Sequence, residues 1–165
     1  GDAAVYQERR GCEITLHVLR ELRGMLPKPD DSAPLAIGGA AAGDQYSLGT
    51  TMAELVLRDA KWNATSLGDN LPFETISAAI REHRPQLVWL SCSFIEDEST
   101  FLDAYQELYD EHGMSVAFVV GGYALTDSIR QRMQYSAFCD SMQHLEGFAQ
   151  TLRTAIDSKS GQPPA

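Results

Sequence analysis

At 165 residues, with 44% apolar and 22% charged side chains, the chain has room for one domain with a full core and not for two. A formal net charge of −10 scatters its basic residues among more acids, which excludes a phosphate-gripping face of its own for DNA or RNA. No apolar run approaches the roughly 20 residues of a membrane span. The opening segment is too polar for a signal peptide.

In chain order, residues 3–26 read as a helix on which Cys12, Leu16, Leu19, Leu22 and Leu26 make one apolar stripe, widened by Ile14, Val18 and Met25. A stripe this broad needs a partner, which a helical bundle or a dimer contact supplies. No initiator Met precedes Gly1, so a protease scar or the cut end of a longer polypeptide, one that has lost an N-terminal module, is expected. Residues 27–33 (PKPDDSA) form a stiff linker.

From residue 34 apolar runs alternate with helix-period segments. A strand at 34–41 is followed by a helix at 47–62, with Leu48, Met52, Leu55 and Val56 on one side. A short strand at 64–67 and a helix at 73–83 come next, then an apolar strand at 86–93 and an amphipathic helix at 97–112. The chain continues with a strand at 115–120, a short helix at 127–133, a strand at 137–140 and a closing helix at 144–156. Pro72 fits a first helical turn, Pro85 follows the helix at 73–83, and Gly113 closes the next one. Residues 158–165 (SKSGQPPA) read as a disordered tail. Apolar strands joined by such helices give a flavodoxin-like α/β domain over 34–157, a five-stranded parallel sheet of order 2-1-3-4-5. In that order a ligand lies beyond the strand C-termini, where the winding reverses beside the first strand.

That rim is built from the loops at 42–51 (AGDQYSLGTT), 91–94 (SCSF) and 121–123 (GGY). Gly43, Gly49, Gly121 and Gly122 remove side chains where a ligand would meet Cβ atoms. Thr50, Thr51, Ser91 and Ser93 offer hydroxyls, and the start of the helix at 47 offers unpaired N–H groups. Glycines after strands also serve tight turns, so the pointer to a cleft is the convergence of three small-residue loops.

Four motifs in this order resemble the cobalamin (B12)-binding domain family. Residues 44–49 (DQYSLG) stand at its D-x-H-x-x-G signature, and Ser91-Cys92-Ser93 at its S-x-L. Gly121-Gly122 stand at its Gly-Gly, and residues 67–72 (LGDNLP) at its L-G-x-x-x-P. The pattern resembles most the corrinoid-sensing C-terminal domain of MerR-like transcriptional regulators, which place a helical bundle directly before the α/β domain. The resemblance implies a cofactor tail lined by Gly49, Ser91, Ser93, Gly121 and Gly122. It also implies Asp44 ordering the entrance, a hydroxyl from Thr51, and Tyr46 capping the site.

The departure is Tyr46, which stands where the family's histidine ligates cobalt from below. A phenol with a pKa near ~10 is a poor replacement for an imidazole at neutral pH. Gln45 is a weak ligand in its stead. Three readings stay open: a corrinoid held with its own dimethylbenzimidazole or water on cobalt, another flat cofactor such as haem, or an interaction and dimerisation domain that has lost its cofactor.

Other residues favour ordinary roles. His83 and His112 sit near helix C-termini, where the helix dipole favours a cation. His144 reads as surface, and His17 lies beside the first helix's stripe. Cys92, Trp62 and Trp89 read as core. Cys12, Cys92 and Cys139 show no C-x-x-C spacing, as expected of reduced cytoplasmic thiols rather than a zinc site.

An enzyme is not expected. The third strand ends Ser91-Cys92-Ser93 without a phosphoacceptor Asp, Asp44 would repel a phosphate in a flavodoxin-type loop, and no G-x-G-x-x-G, Walker loop or G-x-S-x-G is present. The expectation is a ligand-sensing, homodimeric regulator domain that reaches DNA only through a missing N-terminal module.

Overall fold

The computed structural model describes residues 2–160, with side chains over 5–158. The chain runs α1 (Asp2–Met25), β1 (Leu35–Ala40), α2 (Ser47–Asp59), β2 (Asn63–Ser66), α3 (Phe73–His83) and β3 (Leu87–Ser91). It continues α4 (Glu98–His112), β4 (Ala117–Gly121), α5 (Asp127–Arg130), β5 (Ala137–Phe138) and α6 (Met142–Ser160). All strand pairs are parallel and the sheet order is β2-β1-β3-β4-β5, the flavodoxin-like arrangement expected from the sequence.

Strand alternation sends successive side chains to opposite faces. Ile37, Val88, Leu90, Phe118 and Val120 meet α3 and α4 residues such as Phe73, Phe101 and Tyr105. Ala36, Leu87, Trp89 and Val119 meet α2 and α6 through Ala53, Leu57, Leu145 and Ala149. Trp62 and Trp89 are both buried, as is Cys92. The Trp89 indole lies across Gly38, where a Cβ would come within 2.3 Å of its ring.

The boundaries move by a few residues. Asp97 is the N-cap of α4 and accepts from the Thr100 N–H at 2.7 Å, one of the orphan donors of a helix start. Helix α5 stops at Arg130 and β5 is only two residues long. Helix α6 runs through Ser160, so the start of the expected tail continues the helix, while residues 161–165 lie outside those described.

Helix α2 buries Thr50, Ala53, Glu54 and Leu57 rather than the expected Leu48, Met52, Leu55 and Val56, which are half-buried. The reason is crowding: the sheet, α6 and α1 all pack on α2, so no single stripe carries its burial.

The stripe on α1 divides in the same way. Leu16 is buried and Cys12, Leu19 and Leu26 are half-buried, whereas Ile14, Val18, Leu22 and Met25 are exposed. An ion pair from Arg23 Nε to Glu54 Oε1 (2.9 Å) ties α1 to α2. The nearly buried Glu54 also accepts from Arg58 Nε at 3.0 Å and the Ser66 N–H at 3.3 Å, so its charge is compensated from three directions. Among the described residues no helix is long and apolar enough to cross a membrane.

Candidate functional site

The C-terminal rim of the sheet is organised by one carboxylate. After β1 the chain turns through Gly43, whose φ of 85° suits glycine, into the fully buried Asp44. Asp44 Oδ1 accepts from the Tyr46 N–H at 3.0 Å, and Oδ2 from the N–H groups of Ser93 (2.5 Å) and Phe94 (3.3 Å). Backbone donors thus balance the buried charge and staple the loop after β1 to the loop after β3. From the other side Asn70, held at φ 51°, accepts from the Gly43 N–H at 2.8 Å and donates its own N–H to Asp44 O at 2.9 Å. The 67–72 motif therefore acts as a brace beneath the first loop.

Beside this staple lies a cleft of about 210 Å³ between β3, β4, α2 and α6. Its origin is a gradient of side-chain size along the α2–α6 face. Level with Gly38, the strands carry Trp89 and Val119; two residues on, level with Ala40, they carry Ser91 and Gly121. The large residues floor the space and the small ones leave it open at the rim. Gly49 and Ala53 of α2, and Met142 and Leu145 of α6, form its sides. The rim glycines also serve packing: a Cβ on Gly49 would stand 2.6 Å from Ser91 Oγ, and one on Gly121 would stand 2.5 Å from Cys139 O. At Gly122 (φ 121°) a Cβ would lie 2.3 Å from Cys92 O.

A second, wider space of about 550 Å³ opens between α1 and the loop after β1. Val5, Cys12 and Leu16 line it from α1, Tyr46 and Leu48 from below, and Phe94 from the side. Tyr46 is exposed, and its hydroxyl takes no hydrogen bond among the described residues.

Of the residues named from sequence, Gly49, Ser91, Ser93, Gly121 and Gly122 converge on the smaller cleft. Tyr46 lines the wider one, and Asp44 lines neither but joins their loops. Thr51 is not brought into either space, because its hydroxyl donates back along the helix to Ser47 O at 2.8 Å. Its neighbour Thr50 is the inward residue, accepting from Trp89 Nε1 at 3.0 Å and lying 3.0 Å from Ser66 Oγ. Sequence reasoning missed the loop between β5 and α6, where Cys139, Asp140 and Ser141 border the cleft. The rule that placed ligands beyond strand C-termini applied equally to this fifth strand.

Titratable groups around the cleft are few. Burial pushes the Cys92 thiol well up, aided by the Asp44 charge, and pushes Cys139 up more mildly, aided by Asp140. Exposed His144 pairs through Nδ1 with Asp140 Oδ1 at 2.7 Å beside the mouth. His17 is exposed on α1, and His112 is buried on the other side of the sheet, 2.8 Å from Ser77 Oγ. Among the described residues no histidine lines either space. Among the described residues no group of His, Cys, Asp and Glu is arranged to hold a metal ion.

A model of the B12 binding domain matches residues 34–147. No curated protein matches the chain by sequence. Among solved structures, the monomethylamine corrinoid protein of Methanosarcina barkeri superposes with a TM-score of 0.68 at 20% identity, covering 81% of this chain and 65% of that one. A cobalamin-binding protein from Desulfitobacterium hafniense DCB-2 gives 0.63 at 18% identity, over 86% of this chain and 67% of that one. The methanol:cobalamin methyltransferase complex of M. barkeri gives 0.59 at 18% identity, over 78% and 47%. At such identities these likenesses establish the fold. The chain spans about two thirds of the length of the first of them.

Proposed function

This chain belongs to the B12 binding domain family, and we propose that it is the ligand-sensing domain of a MerR-like transcriptional regulator, binding a corrinoid or related cofactor without a histidine ligand. The observation that carries this reading is the open cleft of about 210 Å³ walled by Gly49, Ser91, Ser93, Gly121 and Gly122. Small residues from separate loops leave this space open at the C-terminal rim of the sheet, where this strand order places ligands.

The residues fit such a group in part. The smaller cleft suits a slender tail, its walls being mainly apolar with serine hydroxyls at the mouth. The wider space between α1 and the Tyr46 loop suits a broader body. The floor offers no imidazole, so the metal of a bound corrinoid would rely on its own ring nitrogens and on the cofactor's own base or water. When bound, the group would supply a metal centre able to exchange a ligand. This chain's residues supply the rest: Asp44 fixes the relative position of two rim loops, Tyr46 caps the site, and α1 covers it.

Signalling then follows from differential affinity. Helix α1 forms one wall of the wider space, so occupancy favours one placement of α1 over another. The exposed stripe Ile14, Val18, Leu22 and Met25 carries that change outward to a bundle, a second copy or a DNA-binding module preceding this domain. A cytoplasmic, non-catalytic role accords with this arrangement.

The same stripe favours a second reading, a cofactor-free domain that associates through α1. It would use these outward residues, because Cys12, Leu16, Leu19 and Leu26 already face the domain. One experiment separates the two. The purified chain is incubated with hydroxocobalamin, adenosylcobalamin or haem, desalted, and its visible spectrum recorded. Near-stoichiometric retained colour with a cobalamin supports the sensor. Colourless protein with all three, together with a mass that falls to the monomer on Val18→Glu, supports the second reading.

A further inference from the structure

Helices α3 and α4 end at the edge of the sheet opposite the cleft, where β3 and β4 begin. Between their ends lies a concave space of about 460 Å³, lined by Arg81, Arg84, Gln86, His112 and Ser115 over an apolar base. Among the described residues no acidic side chain lines it, although acids outnumber lysine and arginine 23 to 13 in the chain. Arg84 ends α3 in the left-handed conformation (φ 50°), and its guanidinium takes no hydrogen bond or ion pair among the described residues.

The histidine is the less ordinary member. His112 is only 6% exposed. Ser77 Oγ donates its one proton to Glu111 Oε2 at 2.9 Å, so at 2.8 Å from His112 Nε2 it accepts, and Nε2 carries the hydrogen. The other ring nitrogen, Nδ1, takes no hydrogen bond among the described residues, and the residue borders the concave space. A buried polar atom left unmatched calls for a partner. Cations at helix C-termini ordinarily offset the dipoles, each end amounting to about half a negative charge. Here two helix ends and the Glu111 carboxylate, which lines a neighbouring space, stand against Arg81, Arg84 and His112. With His112 protonated, three positive charges exceed about two negative ones, and with it neutral the two sides balance. His83, on the last turn of α3, lies outside the lining, and Gln86 and Val116 at the strand starts bring no charge.

We infer that this concavity is a second binding site, one for a tetrahedral oxyanion of the phosphate or sulfate class, held by Arg84, Arg81 and protonated His112. Arg81 gives Nη1 to Glu111 and keeps its remaining N–H groups for the anion. Charge-assisted bonds of this kind are the strong ones. Histidine changes charge between about pH 5 and 8, so the site fills as the pH falls. It lies at the other end of the sheet from the corrinoid site and does not depend on it.

Sulfate is the probe, because its own charge is constant over that range. The full chain is titrated with sodium sulfate against sodium chloride at fixed ionic strength, and the backbone amide shifts of Arg84, Gln86 and Ser115 are followed by NMR. Saturable shifts are expected, with sulfate bound about tenfold tighter at pH 5.5 than at pH 8. Arg84→Ala, which trims an exposed side chain, is expected to weaken sulfate about tenfold at pH 5.5. His112→Gln, with its fold checked by circular dichroism, is expected to remove the pH dependence. Should that variant unfold, the wild-type pH ratio and Arg84→Ala decide alone. Sulfate that moves these amides no more than chloride does, binds equally at both pH values, or binds Arg84→Ala like the wild type overturns the site.

Discussion

The two faces of the sheet are built from the same strands and end differently at the rim. On the α3–α4 face the aromatic rings of Phe73, Phe101, Tyr105, Tyr109 and Phe118 pack in a connected series, with centroids 5.5 to 6.4 Å apart. On the α2–α6 face the helices and strands meet through Ala36, Ala53, Ala60, Ala64 and Ala149 around Trp62 and Trp89, and then fall away to Ser91 and Gly121. At the C-terminal rim the first face is closed by its rings and the second stops short, leaving the cleft of about 210 Å³. A packed interior has the density of an organic crystal, so a space bordered by this much order reflects the choice of residues at its edge rather than loose packing.

The contrast is broken most severely on the filled face. Phe118→Ala removes a fully buried ring that packs edge-on against Tyr105, and it is expected to cost about 3–5 kcal/mol. Urea denaturation measures this as a lower midpoint at unchanged slope. The staple comes next. Asp44→Asn keeps the shape but replaces one acceptor oxygen by an NH₂ group facing backbone N–H donors, at an expected cost of about 1.5–3 kcal/mol. Because the staple joins the loops that frame both spaces, cobalamin retention is expected to fall with it.

On the open face the stability cost is smaller and the functional one larger. Ala53→Leu adds apolar volume beside existing space, so its effect on the urea midpoint is expected to stay within about 1 kcal/mol, below the usual penalty for overpacking a full core. Cobalamin colour should nevertheless be lost on desalting. A variant that kept its colour would place the tail elsewhere.

Which of these features could be read beforehand follows from how local each one is. The helix at Phe73–His83 came out at its expected bounds because Pro72 fixes its start and its apolar spacing marks one buried side. The sheet order followed from repeated strand–helix alternation. The small-residue loops announced the cleft, since glycine and serine at strand ends are visible in one dimension. The inward turn of Thr50 and outward turn of Thr51 were not visible, because helix rotation is decided by what covers α2 on three sides. The division of the α1 stripe into Leu16 and its neighbours on one side and Ile14, Val18, Leu22 and Met25 on the other has the same origin. Asp44 was legible as a turn residue, but its bonds to Ser93 and Phe94 join positions some fifty residues apart.

The smallest expected effect lies at the outer edge of the filled face, where α3 and α4 are joined by polar contacts rather than rings. Arg81 Nη1 donates to Glu111 Oε1 at 2.7 Å and Ser77 Oγ donates to Oε2 at 2.9 Å, with His112 Nε2 3.5 Å from the carboxylate. The Arg81 bond first, and the Ser77 bond second, hold the Glu111 carboxyl below its usual range. Its folded-state pKa is therefore lower than its unfolded value near 4.5. A depressed carboxyl contributes stability that is complete above the unfolded pKa and disappears as pH falls through the folded one. Glu111→Gln should then lower the urea midpoint slightly at pH 7, and the gap from wild type should close as the pH is taken from 5 to 3. The exposure of the pair keeps the gap small even where it is largest. A gap that stayed constant through that range would mean that Glu111 supports α3 and α4 by shape alone.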